Sequence, residues 1–187
     1  MSPSRFGLDL TLARLSQCYQ TFLEPVLGRD EPDNVIVEYI NPEVRTRPSP
    51  TFREARALRA LLSAIGDLRG WELAMLPELQ LRDDVLVPAL AGWRRKPDLD
   101  LGKGPHCKVR PSWVCELASD PLRLRMSRGA YARHRVEHMW LLDLDARQLE
   151  ILERSRRRWV TVDRQRERLA GAPPFVGAQI ELGKVWT

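Results

Sequence analysis

Glu116 is the residue in this chain best placed to do chemistry. It stands near the end of an apolar run, Trp113-Val114-Cys115-Glu116-Leu117, that reads as a strand. A carboxylate there is costly unless a metal ion or a cationic partner meets it. If a metal meets it, the chemistry is Mg²⁺-dependent phosphodiester hydrolysis. That reaction takes two hard oxygen ligands held close together, and the ion keeps several waters and accepts the substrate phosphate into its shell. The metal activates water and offsets developing charge, commonly with a lysine nearby. If a side chain meets it instead, Glu116 is a strand-end glutamate paired with one of the chain's many arginines. No Glu-x-Lys follows, because the third position is Ala118. A second apolar segment, Asp84 to Arg95, carries Pro88-Ala89 and no carboxylate beside the proline.

Other chemistries find weaker footing. His106-Cys107 has no second ligand pair at zinc spacing, and His134 and His138 straddle a helix-to-strand break. Ser119 and Ser127 lack a Gly-x-Ser-x-Gly elbow. Gly102-Lys103-Gly104 lacks the strand–loop–helix setting of a phosphate loop.

The elements that must position Glu116 can be read from periodicity. Residues 10–27 read as a helix and 28–34 as a turn-rich break. Residues 35–40 form a strand, and Asn41-Pro42 turns the chain into another strand starting at Glu43. Pro50 and a capping Thr51 open an amphipathic helix with Ala55, Leu58, Leu61, Leu62 and Ile65 on its apolar face, ending at residues 67–70. Strand-like runs follow at 71–76, 79–81 and 85–93, then a loop over 96–108 and the strand 113–117. Residues 121–134 read as a helix, with Leu122, Met126 and Ala130 on one stripe and Leu124 and Tyr131 on an adjoining one. A hairpin turns at Asp145-Ala146-Arg147 between 139–144 and 148–152, with strands at 158–162 and a short edge strand at 180–182. This order gives an α/β (mixed α+β) domain with a central mixed sheet.

The chain has 187 residues, 43% of them hydrophobic and 29% charged, which suits one globular domain rather than a disordered segment. The domain is read as 1–187, with 1–34 as an N-terminal helical extension. No apolar run has the length of a membrane span or a signal core. Cys18, Cys107 and Cys115 are odd in number and widely spaced, as for reduced thiols in a cytoplasm. The formal charge is +5, with arginine clusters at 123–135 and 154–158. Such an excess suits a polyanionic partner, because basic side chains displace counterions from phosphates; it equally suits a solvated surface.

Taken in order, the segments resemble the Uma-two family of restriction-endonuclease-like proteins, which have the PD-(D/E)XK nuclease fold. Tyr39-Ile40-Asn41-Pro42-Glu43-Val44 resembles the family's early Glu-x-Ile-Asn-Gly-Glu hairpin, and Pro48-Ser49-Pro50 the start of its first core helix. Asp84 to Arg95 matches the segment that normally carries Pro-Asp, and Trp113 to Glu116 the strand with the second acid. Tyr131 to His134, His138 to Asp143, and Pro174-Phe175 with Ile180 to Leu182 and Trp186 match the later segments.

The resemblance implies a restriction-endonuclease-like core, a central sheet flanked by helices and, in an active member, Mg²⁺. It makes Glu116 the remaining catalytic residue and metal ligand, with Glu43 as an outer participant. The family's aspartate is Ala89 here, and its helix lysine, four residues before Tyr131, is Ser127. Asp83 and Asp84 start the strand more than ~10 Å from Ala89's end. Asp98 and Asp100 would have to come from the loop. Arg125 or Arg128 could bind phosphate but not act as a base.

Three functions compete: a nuclease-fold protein without efficient Mg²⁺-dependent cleavage that still binds DNA through Arg123, Arg125, Arg128, Arg133 and the 154–158 loop; an active endodeoxyribonuclease with relocated ligands; and a protein-interaction or homodimerisation module.

Overall fold

The computed structural model describes residues 35–66 and 70–186. The expected helix at 10–27, the turn-rich break after it, Cys18 and the helix end at 67–69 lie outside the described residues. The chain divides into two compact units, Met1–Val37 with Thr46–Ser49 and Glu38–Arg45 with Pro50–Thr187. The described part of the smaller unit consists of the outer ends of two strands, β1 (Val35–Ile40) and β2 (Glu43–Pro48). The remaining elements belong to the larger unit.

Its centre is a six-stranded mixed sheet in the order β10-β9-β8-β7-β6-β3. These are β3 (Trp71–Met75), β6 (Leu90–Arg94), β7 (Trp113–Leu117), β8 (His138–Asp143), β9 (Gln148–Ser155) and β10 (Arg158–Gln165). Only β7 and β8 run parallel, with Glu116 opposite Leu141. A parallel pair needs a crossover, which the helix at Pro121–Arg133 supplies. Two shorter strands, β4 (Leu79–Leu81) and β5 (Asp84–Leu86), pair antiparallel, and β5 meets β1 at Tyr39 and Val85. A last antiparallel pair joins β11 (Arg168–Ala170) to β12 (Gln179–Glu181); only its second strand was legible in the sequence. No described helix is long and apolar enough to cross a membrane.

The run expected as one strand over 85–93 is two strands in two sheets. The chain leaves β5 at Leu86, bends through Val87-Pro88-Ala89, and re-enters as β6 at Leu90. Pro88 has no N–H to give a ladder, and the Val87 N–H goes elsewhere, to a carboxylate of the functional cluster.

Helix α1 (Phe52–Gly66) opens with a capping box. The Thr51 hydroxyl oxygen accepts from the Glu54 amide at 3.3 Å, and the Glu54 carboxylate accepts from the Thr51 amide at 2.8 Å. Its core face is Ala57, Leu58, Leu61 and Ile65, with Ala55 and Leu62 only half-buried. In helix α2 (Pro121–Arg133), Asp120 accepts from the Arg123 amide at 3.0 Å, and Pro121 takes the first-turn position, where no N–H is needed. The buried stripe of α2 differs from the expected one. It is Arg123, Ser127, Ala130, Tyr131 and Ala132, whereas Leu122 is exposed.

Period-two alternation divides the sheet residues between two cores. Trp113, Cys115 and Leu117 of β7, with Trp140 and Leu142 of β8, join the α1 residues; Val114, Met139 and Leu141 join Ala130 and Tyr131 of α2. Phe175 caps the first core, its ring 4.8–5.3 Å from those of Trp71, Trp113 and Trp140, all edge-on. Glu116, between Cys115 and Leu117, therefore shares the α2 face with Val114.

Candidate functional site

On that face Glu116 is 1% exposed and meets a guanidinium. Arg123, one turn into α2, donates from Nη1 to Glu116 Oε2 at 2.9 Å and from Nη2 to Oε1 at 3.3 Å. The other edge of the same guanidinium grips Glu38 of β1, with Nε to Oε2 at 2.6 Å and Nη2 to Oε1 at 3.0 Å. Glu38 is fully buried, and Arg123 is 6% exposed. Both forks have the planar geometry that only arginine offers. Nη2 also donates to the Val87 carbonyl at 3.4 Å, while the Val87 amide donates to Glu38 Oε1 at 2.8 Å. The bend between β5 and β6 thus closes one side of the cluster.

Tyr131 completes it, donating its hydroxyl to Glu116 Oε1 at 2.7 Å. Burial, and then the Glu116 and Glu38 carboxylates, hold that phenol well above its ordinary pKa, so it remains a donor. Burial alone would favour the neutral form of Arg123, but Glu116 and Glu38 outweigh it and raise the guanidinium further still. Two carboxylates and one guanidinium leave a formal excess of one negative charge, spread over neutral donors from Tyr131 and Val87. Such a cluster is a fixed cation between two acids. That guanidinium can act neither as a base nor as a Lewis acid towards water.

The positions singled out in the sequence scatter around it. Glu116 is central, in the arginine-paired arrangement rather than the metal-liganding one. Glu43 is not part of the cluster: it is exposed and pairs with Arg45. The acid opposite Glu116 is Glu38, five residues earlier. Its signal was of the same kind as that of Glu116, a single carboxylate inside the apolar run Val35-Ile36-Val37-Glu38-Tyr39-Ile40. Ala89 is buried among the apolar residues of the α1 core. Ser127 is buried, and its hydroxyl turns back to the Leu124 carbonyl at 3.2 Å. The cation of α2 enters four residues before Ser127, where Arg123, Ser127 and Tyr131 line up at i, i+4 and i+8.

Arg123 is consequently not a surface contact for phosphate. Arg133 is exposed but pairs with Asp84 at 3.0 Å. Arg125 is exposed, and Arg128 half-buried with its carbonyl accepting from Trp159 Nε1 at 2.8 Å.

Asp84 anchors a second buried charge at the start of β5. Besides Arg133, it accepts from the Asn41 amide at 2.8 Å and bonds His134 Nε2 at 2.6 Å. Burial pushes this carboxyl up, but His134, Asn41 and Arg133 together hold it below the ordinary aspartate value.

Mg²⁺ needs near-octahedral oxygen ligation and retains several waters. Glu38 and Glu116 are the right donors, but the space between them holds the guanidinium, both are shut off from water, and position 89 supplies a methyl group. These residues do not fit the ion as they stand.

A family model named Uma2 and described as "Putative restriction endonuclease" matches residues 20–183. A solved structure described as a "putative nuclease belonging to DUF820", from Anabaena variabilis, superposes with a TM-score of 0.66 at 17% identity. The match covers 88% of this chain and 96% of that one. At that identity the likeness speaks for the fold. No curated protein matches the chain.

Proposed function

We propose, for a chain that belongs to the Uma2 family, a restriction-endonuclease-fold protein that no longer cuts phosphodiester bonds through Mg²⁺ and keeps a nucleic-acid-binding role. One observation carries this reading: Arg123 holds the place between Glu38 and Glu116 that a cation must hold. A guanidinium there partners both acids permanently but activates no water. The absence of a lysine at Ser127 and of a carboxylate at Ala89 supports the same reading. The net positive charge of the chain supports a polyanionic partner, and the widely spaced free thiols of Cys107 and Cys115 suit a cytoplasmic setting.

The test is incubation of pure protein with supercoiled plasmid and Mg²⁺ or Mn²⁺, beside Glu116→Ala. The expected result is no cleavage by either protein. Cleavage by the parent that disappears in Glu116→Ala would overturn the reading.

A second reading has one observation in its favour. Glu38 and Glu116 both reach Arg123 Nη2, so the two carboxylates already converge on one point. An ion that displaced Arg123 would find two oxygen ligands waiting, and the protein would be an active endonuclease. Calorimetric titration with Mn²⁺ separates the two: heat of stoichiometric binding, lost in Glu38→Gln, favours the active enzyme.

A further inference from the structure

At the far end of α2 from Arg123 lies an open groove of about 840 Å³, lined by seven arginines and Lys108 and by no acid. Arg123 sits in the first turn of α2 and Arg133 in the last, about 15 Å apart at 1.5 Å per residue. The groove is therefore separate from the acid–arginine cluster. We infer that it is a nucleic-acid site that grips the sugar–phosphate backbone and reads no base sequence. The ligand class rests on the nucleic-acid reading above; the site itself rests on the groove.

Four separate segments bring the cations together. Arg82 comes from the turn between β4 and β5, Lys108 from the loop before β7, Arg135 from the turn after α2, and Arg156 and Arg157 from the turn between β9 and β10. All five are exposed, and none has a carboxylate partner among the described residues. Other arginines build the walls. Arg110 Nη1 donates to the Arg135 carbonyl at 2.7 Å, and Arg154 Nε to the Val136 carbonyl at 3.1 Å. Asp84, beneath, is already engaged by Arg133 and His134. Gathering this many unpaired like charges in one concavity raises the energy of the empty groove and favours a polyanion in it.

The backbone adds an independent sign. Arg82, Arg135 and Arg156 have φ of 54°, 61° and 58°, in the left-handed region that glycine or asparagine usually fills. Glycine would make each of these turns with less strain. At all three the chain carries an arginine that lines this groove, whereas Leu76 and Arg147, the other two described non-glycine residues with positive φ, lie elsewhere. Three of five such positions meeting at one site point to function.

The lining contains no Trp, Tyr or Phe on which a base could stack, and the single imidazole is tied to Asp84. Single-strand binders that hold bases use such platforms. What remains is forked guanidinium contact with phosphate oxygens, which is indifferent to sequence.

The experiment uses the full chain and fluorescein-labelled duplexes of two unrelated sequences, with anisotropy followed across a salt series. Arg156→Gly with Arg157→Ala removes two groove cations without adding strain, and Arg59→Ala on the exposed face of α1 is the control. The groove variant is expected to bind both duplexes more weakly, by the same factor, with a log–log salt slope shallower by about two. Arg59→Ala should behave as the parent. An unchanged slope in the groove variant, an equal loss in Arg59→Ala, or a parent that binds neither duplex at low salt would each overturn the site. Tight binding of inorganic polyphosphate with no binding of duplex would overturn the ligand. Plasmid cleavage with Mg²⁺ would defeat the non-cutting reading and leave the groove standing.

Discussion

Removing the guanidinium from between its two acids is the most severe test of the cluster. Arg123→Met keeps the length and much of the volume of the side chain but leaves Glu38 and Glu116, 0% and 1% exposed, facing each other with no cation. Breaking a buried ion pair from one side costs about 3–5 kcal/mol, because the remaining charge is desolvated and uncompensated. Here two charges are abandoned together, so the upper half of that range applies. For a domain of this size each kcal/mol moves the midpoint by roughly 2–4 °C, which gives a fall in Tm of roughly 8–20 °C. Urea unfolding followed by tryptophan fluorescence suits the measurement, since Trp113 and Trp140 are fully buried in the core. The decisive comparison is with Glu38→Gln/Arg123→Met/Glu116→Gln, which removes all three charges at nearly constant shape. If charge imbalance is the cause, the triple variant recovers most of the lost stability despite carrying more substitutions. Two results would refute the reasoning: Arg123→Met as stable as the parent, or a triple variant no better than the single one.

The remaining predictions concern the frame around the cluster. Asp84 has a depressed pKa when folded, so the stability it contributes is present above the ordinary aspartate value of about 3.9 and is lost as pH falls through the lower folded value. The parent should therefore exceed Asp84→Asn in urea midpoint at neutral pH, and the gap should close in strong acid. Phe175→Ala removes the ring that touches three tryptophans and should cost about 3–5 kcal/mol in chemical denaturation. At Gly92 an added Cβ would lie 2.9 Å from Leu73 Cδ2 and 3.1 Å from Trp113 Cε3, so Gly92→Ala should cost about 1–3 kcal/mol in the same assay.

Much of this architecture was legible in the sequence because its elements are locally consistent. The β7 run is apolar and buried on both faces, which fixes both its ends and leaves Glu116 as its one charged residue. Pro50 and the capping Thr51 place the start of α1 to the residue. The family, too, follows from the order of short segments. Tertiary choices escaped. Whether residues 85–93 form one strand or two depends on where the Val87 amide finds its acceptor, and that acceptor is Glu38, forty-nine positions away. The resemblance implies Glu43 as an outer participant, yet the acid that meets Arg123 opposite Glu116 is Glu38, which shares the buried side of β1 with Ile40. The sequence places Arg123 with the other arginines of its cluster, because composition cannot tell a buried guanidinium from an exposed one. The signal that could have found it was its four-residue spacing from Ser127 and Tyr131.

The cluster also restricts the routes by which this chain can change. Losing Arg123 alone strands two buried acids. Losing either acid alone leaves a buried cation short of partners, and a carboxylate introduced at Ala89 alone adds a charge at a position 1% exposed. Each single step costs several kcal/mol out of a total stability of about 5–15 kcal/mol. A path from this arrangement to a metal-binding one therefore passes through a destabilised chain unless an ion takes the place that Arg123 leaves. Glu38, Arg123 and Glu116 constrain one another's replacement, as one unit spread over three distant points of the chain.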